Sequence, residues 1–475
     1  MGWLHWATVY LAAEWTLRLA MLFYVPQKRT PAAARAWLLL IFLQPVIGLA
    51  LYLAVGRIRV SGERISRQER STERIRAEIA ALEAREPWAR SGAPAGLEET
   101  ARLAETLGDF PIFGGNSVEV MTGYDGSIDR LVADIDAARD HAHLLYYIFE
   151  ADGVGRRVAG ALERAVKRGV ACRVIMDAMG SERGLKELAP GMRAAGIEVL
   201  AALEVGFWRK AASRADLRNH RKIAVIDGRV GYSGSQNIVG GVFIPGVPNE
   251  EMVVRVTGPV VAQLQVVFLS DRYTKTGVAM EEPGLFPELE RTGATAAQVL
   301  PSGPEYRRQN QQELMVTWLY TARKRAVITT PYFVPDEIFV EAMTSAAHRG
   351  VEVHLVVSRH NNHRVTQLAE ESFYEALLGA GVKIHRFRPR FLHAKSLTID
   401  GAAAIIGSTN IDIRSFALNE EVSLLIYDPA VVSGLEAWHA GLFADSETPT
   451  VEEWAARAWG QRLMQNLARL VDSLL

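Results

Sequence analysis

One polar pattern occurs twice in this chain with the same internal spacing. The first copy reads His220-Arg221-Lys222-Ile-Ala-Val-Ile-Asp227-Gly228 and continues to Gly234-Ser235-Gln236-Asn237. The second reads His393-Ala394-Lys395-Ser-Leu-Thr-Ile-Asp400-Gly401 and continues to Gly407-Ser408-Thr409-Asn410. From His to Asn is 17 residues in both. Each copy is followed by Asn-Glu-Glu and an apolar run, at Asn249-Glu250-Glu251 and at Asn419-Glu420-Glu421. Chance does not reproduce so many matched polar positions, so the chain is built from two related halves.

The surroundings of each copy repeat as well. His143–Glu150 and Val170–Asp177 read as strands separated by a helix over Val158–Arg168, which Gly169 ends. The passage returns as a strand and its exit at Ala326–Pro335, a helix to Arg349 ended by Gly350, and a strand at Val351–Ser358. Short apolar runs alternating with helical periods predict α/β architecture. The repeat predicts two pseudo-symmetric α/β/α lobes, 111–290 and 291–446, around one shared active site.

His220 and Lys222 are two apart in a strand and share a face, as do His393 and Lys395; Arg221 and Ala394 point away. An imidazole beside an ammonium suits a phosphate: lysine binds anionic oxygens while histidine attacks phosphorus or protonates the leaving oxygen. One histidine would carry a phospho-histidine intermediate and the other would serve as acid, then base. Lys222, Lys395, Ser235, Ser408, Asn237 and Asn410 are candidate phosphate ligands. Glu251 and Glu421 recur where a buried carboxylate could orient an imidazole. Two lysines could hold the phosphodiester charge without a metal, and no carboxylate cluster suggests a divalent site.

Plainer readings stand beside these. Asp227-Gly228 and Asp400-Gly401 lie between apolar strands, where Asp-Gly favours a hairpin turn; both aspartates are also carried as catalytic candidates within the motif. Glu250 and Glu420 read as solvated neighbours. Cys172, the single cysteine, reads as core packing and excludes an internal disulfide or a multi-thiolate zinc site.

Composition matters chiefly at the N-terminus. With 53 Lys+Arg against 54 Asp+Glu, no basic excess points to nucleic acid as a partner. Residues 1–56, however, hold 39 apolar and only five charged residues. Trp37–Val55 has no charge over 19 residues, enough to cross a bilayer. Trp3–Tyr24 is a second candidate, with Glu14 and Arg18 four apart and able to pair. The expectation is a transmembrane helical hairpin over 1–56, then a charged helical linker over 57–110. Three basic residues lie in the connector (Lys28, Arg29, Arg35) and seven arginines in 57–76. The larger excess should stay cytoplasmic with the large domain. An amphipathic C-terminal segment, 447–475, sets Trp454, Trp459, Leu463, Leu467, Leu470, Val471 and Leu474 at helical spacing among arginines. It and Phe207–Lys210 are candidate membrane contacts.

HxKxxxxD followed by GSxN, present twice, resembles the phospholipase D superfamily. Within it the chain is similar to the bacterial cardiolipin synthases over nearly its full length, through Ala36–Gly56, Tyr146–Glu150, Asn219–Lys222 and Thr329–Glu337. The resemblance implies phospholipase D-like lobes and phosphatidyl transfer between two phosphatidylglycerol molecules, giving cardiolipin and glycerol without a cofactor. It implies His220 or His393 as nucleophile, His220 being the provisional choice, and a place in the bacterial inner membrane. Glu251 stands where the family pattern commonly has aspartate, which makes its orienting role less secure than that of Glu421. A hydrolytic phospholipase D, a transferase with another alcohol, a nuclease and a non-enzymatic membrane scaffold remain alternatives.

Overall fold

The computed structural model describes residues 2–29, 31–56, 62–203, 217–306 and 309–470. Phe207–Lys210, Val471 and Leu474 lie outside the described residues. The chain divides into two compact units, residues 1–63 with 205–216, and 64–204 with 217–475.

The first unit contains α1 (Gly2–Tyr24), α2 (Pro31–Leu43) and α3 (Pro45–Leu51), the last continuing as a π-helical turn over Tyr52–Gly56. Pro45 has no N–H to continue the α2 ladder, and Gln44 leaves helical geometry at φ −138°, ψ 82°. The chain then doubles back. Gly48 lies so close to α2 that a Cβ there would come within 2.7 Å of the Ile41 Cα. Farther along, Tyr52 meets Trp37 edge-on at 5.5 Å. The apolar stretch 37–55, expected as one span, is therefore a bent helical hairpin. Met21, Val25, Ala34, Ile41 and Tyr52 form the core of this first unit. Among the described residues, no helix is both long and apolar enough to cross a membrane. Glu14 and Arg18 do pair, at 3.0 Å.

The second unit holds Arg64 onward of a long helix, α4 (Gly62–Arg85), which lies within the expected charged helical linker. Ile75, Ile79 and Leu82, at i, i+4 and i+7, bury one stripe in the core. The Ser71 and Ser270 hydroxyls meet at 2.6 Å. The strands of the first lobe are β1 (Phe113–Met121), β2 (His141–Tyr146), β3 (Ala171–Asp177), β4 (Glu198–Ala202), β5 (Arg218–Asn219), β6 (Lys222–Ile226), β7 (Val230–Gly234), β8 (Asn249–Glu250) and β9 (Val253–Thr257). Those of the second are β10 (Thr295–Ser302), β11 (Arg325–Thr329), β12 (Phe333–Val334), β13 (Glu352–Ser358), β14 (Lys383–Phe387), β15 (Phe391–Leu392), β16 (Ser396–Ile399), β17 (Ala403–Gly407), β18 (Ile411–Asp412), β19 (Asn419–Tyr427) and β20 (Ser446–Glu447).

The sequence repeat becomes a repeat of topology. The first lobe runs β1-β9-β7-β6-β2-β3-β4 and the second β10-β19-β17-β16-β11-β13-β14. In both, the last three strands are parallel and the rest antiparallel. The parallel strands are joined through helices such as Gly153–Lys167 and Glu337–His348, each started by a capping aspartate, Asp152 or Asp336. β1 pairs antiparallel with β10, so the two lobes share one continuous sheet.

The C-terminal segment splits in two. Trp454 is buried against Tyr374, with the Arg457 guanidinium 4.3 Å from its ring. In the helix Trp459–Arg469, Gln465 and Ala468 face inward, while Trp459, Leu463, Met464 and Leu467, with Leu470 at its C-cap, face solvent.

Candidate active site

Both repeat motifs sit where short strands cross from one lobe to the other. β5 runs parallel to the start of β19, with Asn219 opposite Glu420, and the His220 N–H donates to the Glu420 carbonyl at 2.8 Å. In mirror fashion β8 pairs with β15, and the His393 N–H donates to the Glu250 carbonyl at 2.8 Å. These clasps deliver each histidine to the carboxylate of the opposite lobe. His220 Nδ1 is 3.0 Å from both Glu421 oxygens, and His393 Nδ1 is 2.9 Å from both Glu251 oxygens.

An ionised carboxylate only accepts, so Nδ1 carries the proton and Nε2 is left as nucleophile or proton carrier. Glu251, despite standing in place of aspartate, reaches its imidazole as closely as Glu421 does. Burial pushes the Glu251 carboxyl up, but the His393 charge and hydrogen bond, with Lys395 and Ser235, outweigh it and hold it below the usual range.

The lysines lie under the histidines. Lys222 Nζ donates to the His220 carbonyl at 2.5 Å and Lys395 Nζ to the His393 carbonyl at 2.6 Å. Burial lowers Lys222 to about 7 and Lys395 to about 8. It also lowers both histidines to about 4, against the upward pull of their glutamates. The Lys395 charge lowers His220, and that of Lys222 lowers His393, so the four basic groups share one site.

Several expectations change here. Ser235 donates to Glu251 at 2.5 Å and Ser408 donates to Glu421, so these hydroxyls hold the orienting carboxylates and are not turned to a phosphate. Their preceding glycines are sterically required: a Cβ at Gly234 would meet the Met252 carbonyl at 2.3 Å, and one at Gly407 the Val422 carbonyl at 2.4 Å. Asn237 Oδ1 accepts from the Ile148 N–H at 3.1 Å, which leaves its NH2 as a donor. Asn410 donates to Asp412, and its Oδ1 is buried without a partner.

Asp227 and Asp400 do not join the site. Each stands at the far end of its strand from the lysine, in a turn with φ of 53° or 54° and a following glycine also at positive φ. Asp227 accepts from the N–H groups of Arg139, Asp140 and His141, and Asp400 from those of Arg323, Lys324 and Arg325. They cap the entry to β2 and β11. Glu250 and Glu420 are buried and engaged, Glu250 with Arg390 and Trp438 and Glu420 with Asn219.

Other participants carry no repeat signal. Tyr147 stands edge-on to His220 at 4.8 Å and Phe243 edge-on to His393 at 5.1 Å. Arg221 breaks the symmetry. It ion-pairs with Asp271 and donates to the Glu421 carbonyl at 3.0 Å and the Ser302 carbonyl at 3.1 Å. Its counterpart is Ala394. The buried Arg221–Asp271 pair thus braces only the lobe crossing that holds His220.

Two topologically equivalent lobes, each contributing an Nδ1-anchored histidine and a buried lysine to a common centre, define a protein of the phospholipase D type. The family profile described as "Cardiolipin synthase, PLD-like domain" matches residues 131–272 and 315–442, and a phospholipase D-nuclease N-terminal profile matches 16–57. Cardiolipin synthase A of Pectobacterium carotovorum is 33% identical, and that of Yersinia pseudotuberculosis 34% identical, with 99% of each chain covered. The chain belongs to the cardiolipin synthase family. The crystal structure of phosphatidylserine synthase from Haemophilus influenzae superposes with a TM-score of 0.60 at 14% identity, covering 79% of this chain and all of that one, a likeness of fold.

Proposed function

We propose that the protein is a cardiolipin synthase that transfers a phosphatidyl group from one phosphatidylglycerol to another and releases glycerol. The observation that carries this reading is the crossed arrangement of His220 on Glu421 and His393 on Glu251, beside two lysines.

His220 Nε2 attacks the phosphorus of the first lipid. The phosphorus–oxygen bond to glycerol breaks as His393 Nε2–H protonates that oxygen. The second lipid's glycerol hydroxyl then gives its proton to His393 and attacks the phosphatidyl-histidine; the P–N bond breaks and cardiolipin leaves. Lys222, Lys395 and Asn237 hold the phosphate oxygens, and Glu421 and Glu251 stabilise the positive imidazoles formed in turn. A bound phosphodiester brings the negative charge that raises His393 from its low value into its acid form.

The first unit anchors the protein in the bacterial inner membrane, with the catalytic unit on the cytoplasmic side. Its outward side chains include Trp6, Trp15, Phe23, Leu39, Leu43, Val46 and Ile47, all more than half exposed. The outward apolar face of the Trp459–Arg469 helix lies against the headgroups. Purified protein supplied with phosphatidylglycerol in vesicles should yield cardiolipin and glycerol in equal amounts by lipid chromatography. Phosphatidic acid in place of cardiolipin would replace this reading with a hydrolytic one.

A further inference from the structure

The hairpin of α2 and α3 carries an inference that rests on the membrane reading of the first unit and goes beyond it. We propose that residues 31–56 re-enter the membrane: they dip into the bilayer from the cytoplasmic face and return to that face without crossing.

The backbone supports this directly. Ile41 lies against Gly48 and Trp37 against Tyr52, pairs that step outward symmetrically from the turn at Gln44-Pro45. The thirteen residues of α2 rise only about 20 Å, short of a hydrocarbon core of about 30 Å. The turn is dressed for lipid: Leu39, Leu43, Val46 and Ile47 are 56–68% exposed, and residues 36–56 contain no charge.

A break at membrane depth is tolerable only where its backbone groups are satisfied. Here the Gln44 N–H donates to Leu40 and the Gly48 N–H to Gln44, at 2.8 and 2.7 Å. Pro45 has no N–H to satisfy, and the Phe42 carbonyl, beside the break, accepts from Arg18 Nε at 3.2 Å. Glu14 balances the Arg18 charge at 3.0 Å.

The flanking charges favour the same topology. A crossing span would put Lys28, Arg29 and Arg35 on the face opposite the seven arginines of 57–76. A re-entrant hairpin keeps both basic groups on one face, as the positive-inside rule requires.

The test uses the full chain with single added cysteines, Lys28→Cys, Ser66→Cys and Leu43→Cys. The parent serves as blank because Cys172 is buried. A membrane-impermeant maleimide is applied to intact spheroplasts and to inverted vesicles. Positions 28 and 66 should both label only in inverted vesicles, and position 43 in neither until detergent is added. Labelling of 28 and 66 from opposite faces overturns the proposal, as does labelling of 43 from water or a detergent-free soluble oligomer that covers it. Cardiolipin formation, measured in the same inverted vesicles, keeps the two readings apart: same-face labelling without cardiolipin sinks the functional reading and leaves the hairpin standing.

Discussion

Glu421 and Glu251 each serve the histidine of the other lobe, which gives single substitutions distinct signatures. A phosphatidyl ester of nitrophenol needs no proton on its leaving group. With it, Glu251→Gln and His393→Ala should keep the initial burst of nitrophenol, while Glu421→Gln and His220→Ala lose it by a factor on the order of 10³ to 10⁴. The mirror-image result assigns the nucleophile to His393. On the proposed mechanism the lysines should set the alkaline limit. With Lys222 near 7 and Lys395 near 8, the phosphate cradle loses charge as pH rises. kcat/KM in mixed micelles should therefore decline above about pH 7 to 8, and a flat profile to pH 9 would contradict the role given to these lysines. Arg221→Ala leaves Asp271 buried without its counter-charge, with the Asn219 amide still donating to it, at a cost of about 3–5 kcal/mol read as a lowered Tm. The equivalent Ala394 offers nothing to lose.

At the level of strands and turns, the motif aspartates separate stability from chemistry. Removing Asp227 or Asp400 strands three N–H groups at the entry to β2 or β11, so Asp227→Ala and Asp400→Ala should cost about 1–3 kcal/mol each in urea unfolding. The folded fraction should turn over at close to the parent rate. A thousandfold drop in kcat at unchanged stability would return these residues to the catalytic machinery. The turn reading was available in the sequence, since Asp-Gly between apolar strands is a hairpin signal by itself. Serine was harder: Gly-Ser-x-Asn suggests a cradle, and only the tight approach of Gly234 to Met252 reveals that Ser235 faces Glu251. Pro45 was equally visible, but an uncharged run of 19 residues outweighed a single helix breaker.

For the molecule as a whole, a buried histidine group in the second lobe ties stability to pH. His354 and His385 meet at 2.9 Å and stack on Phe443, while His439 bonds Thr329 at 3.3 Å. Arg325 and Lys383 face the group, and so does Glu352, the one carboxylate pulling the other way. Burial lowers His385 to about 4, His439 to about 3 and His354 below its ordinary value. Folded, they stay neutral where the unfolded chain takes up protons near pH 6.5. Their contribution is therefore intact above pH 6.5 and is lost as pH falls toward 4, by about 1.4 kcal/mol per pH unit for His385 and for His439, with His354 adding in the same direction. Tm measured from pH 7.5 to 5 should fall, and His385→Gln should flatten the slope. Two lobes and a shared centre were legible because the repeat carries them in its spacing. Which glutamate meets which histidine was not, because spacing records order along a strand and not the strand it crosses to.

That crossing gives the chain a genetic property. Each half holds an imidazole whose carboxylate is encoded more than 140 residues away, beside the other imidazole. A lesion at Ser408 or Glu421 is consequently expressed as a defect of His220, in the other copy of the repeat. The same geometry, closed by two identical single-lobe chains, would be a symmetric dimer. Joining the copies in one polypeptide lets one crossing carry Arg221 and the other Ala394, so that the two histidines sit in unequal surroundings.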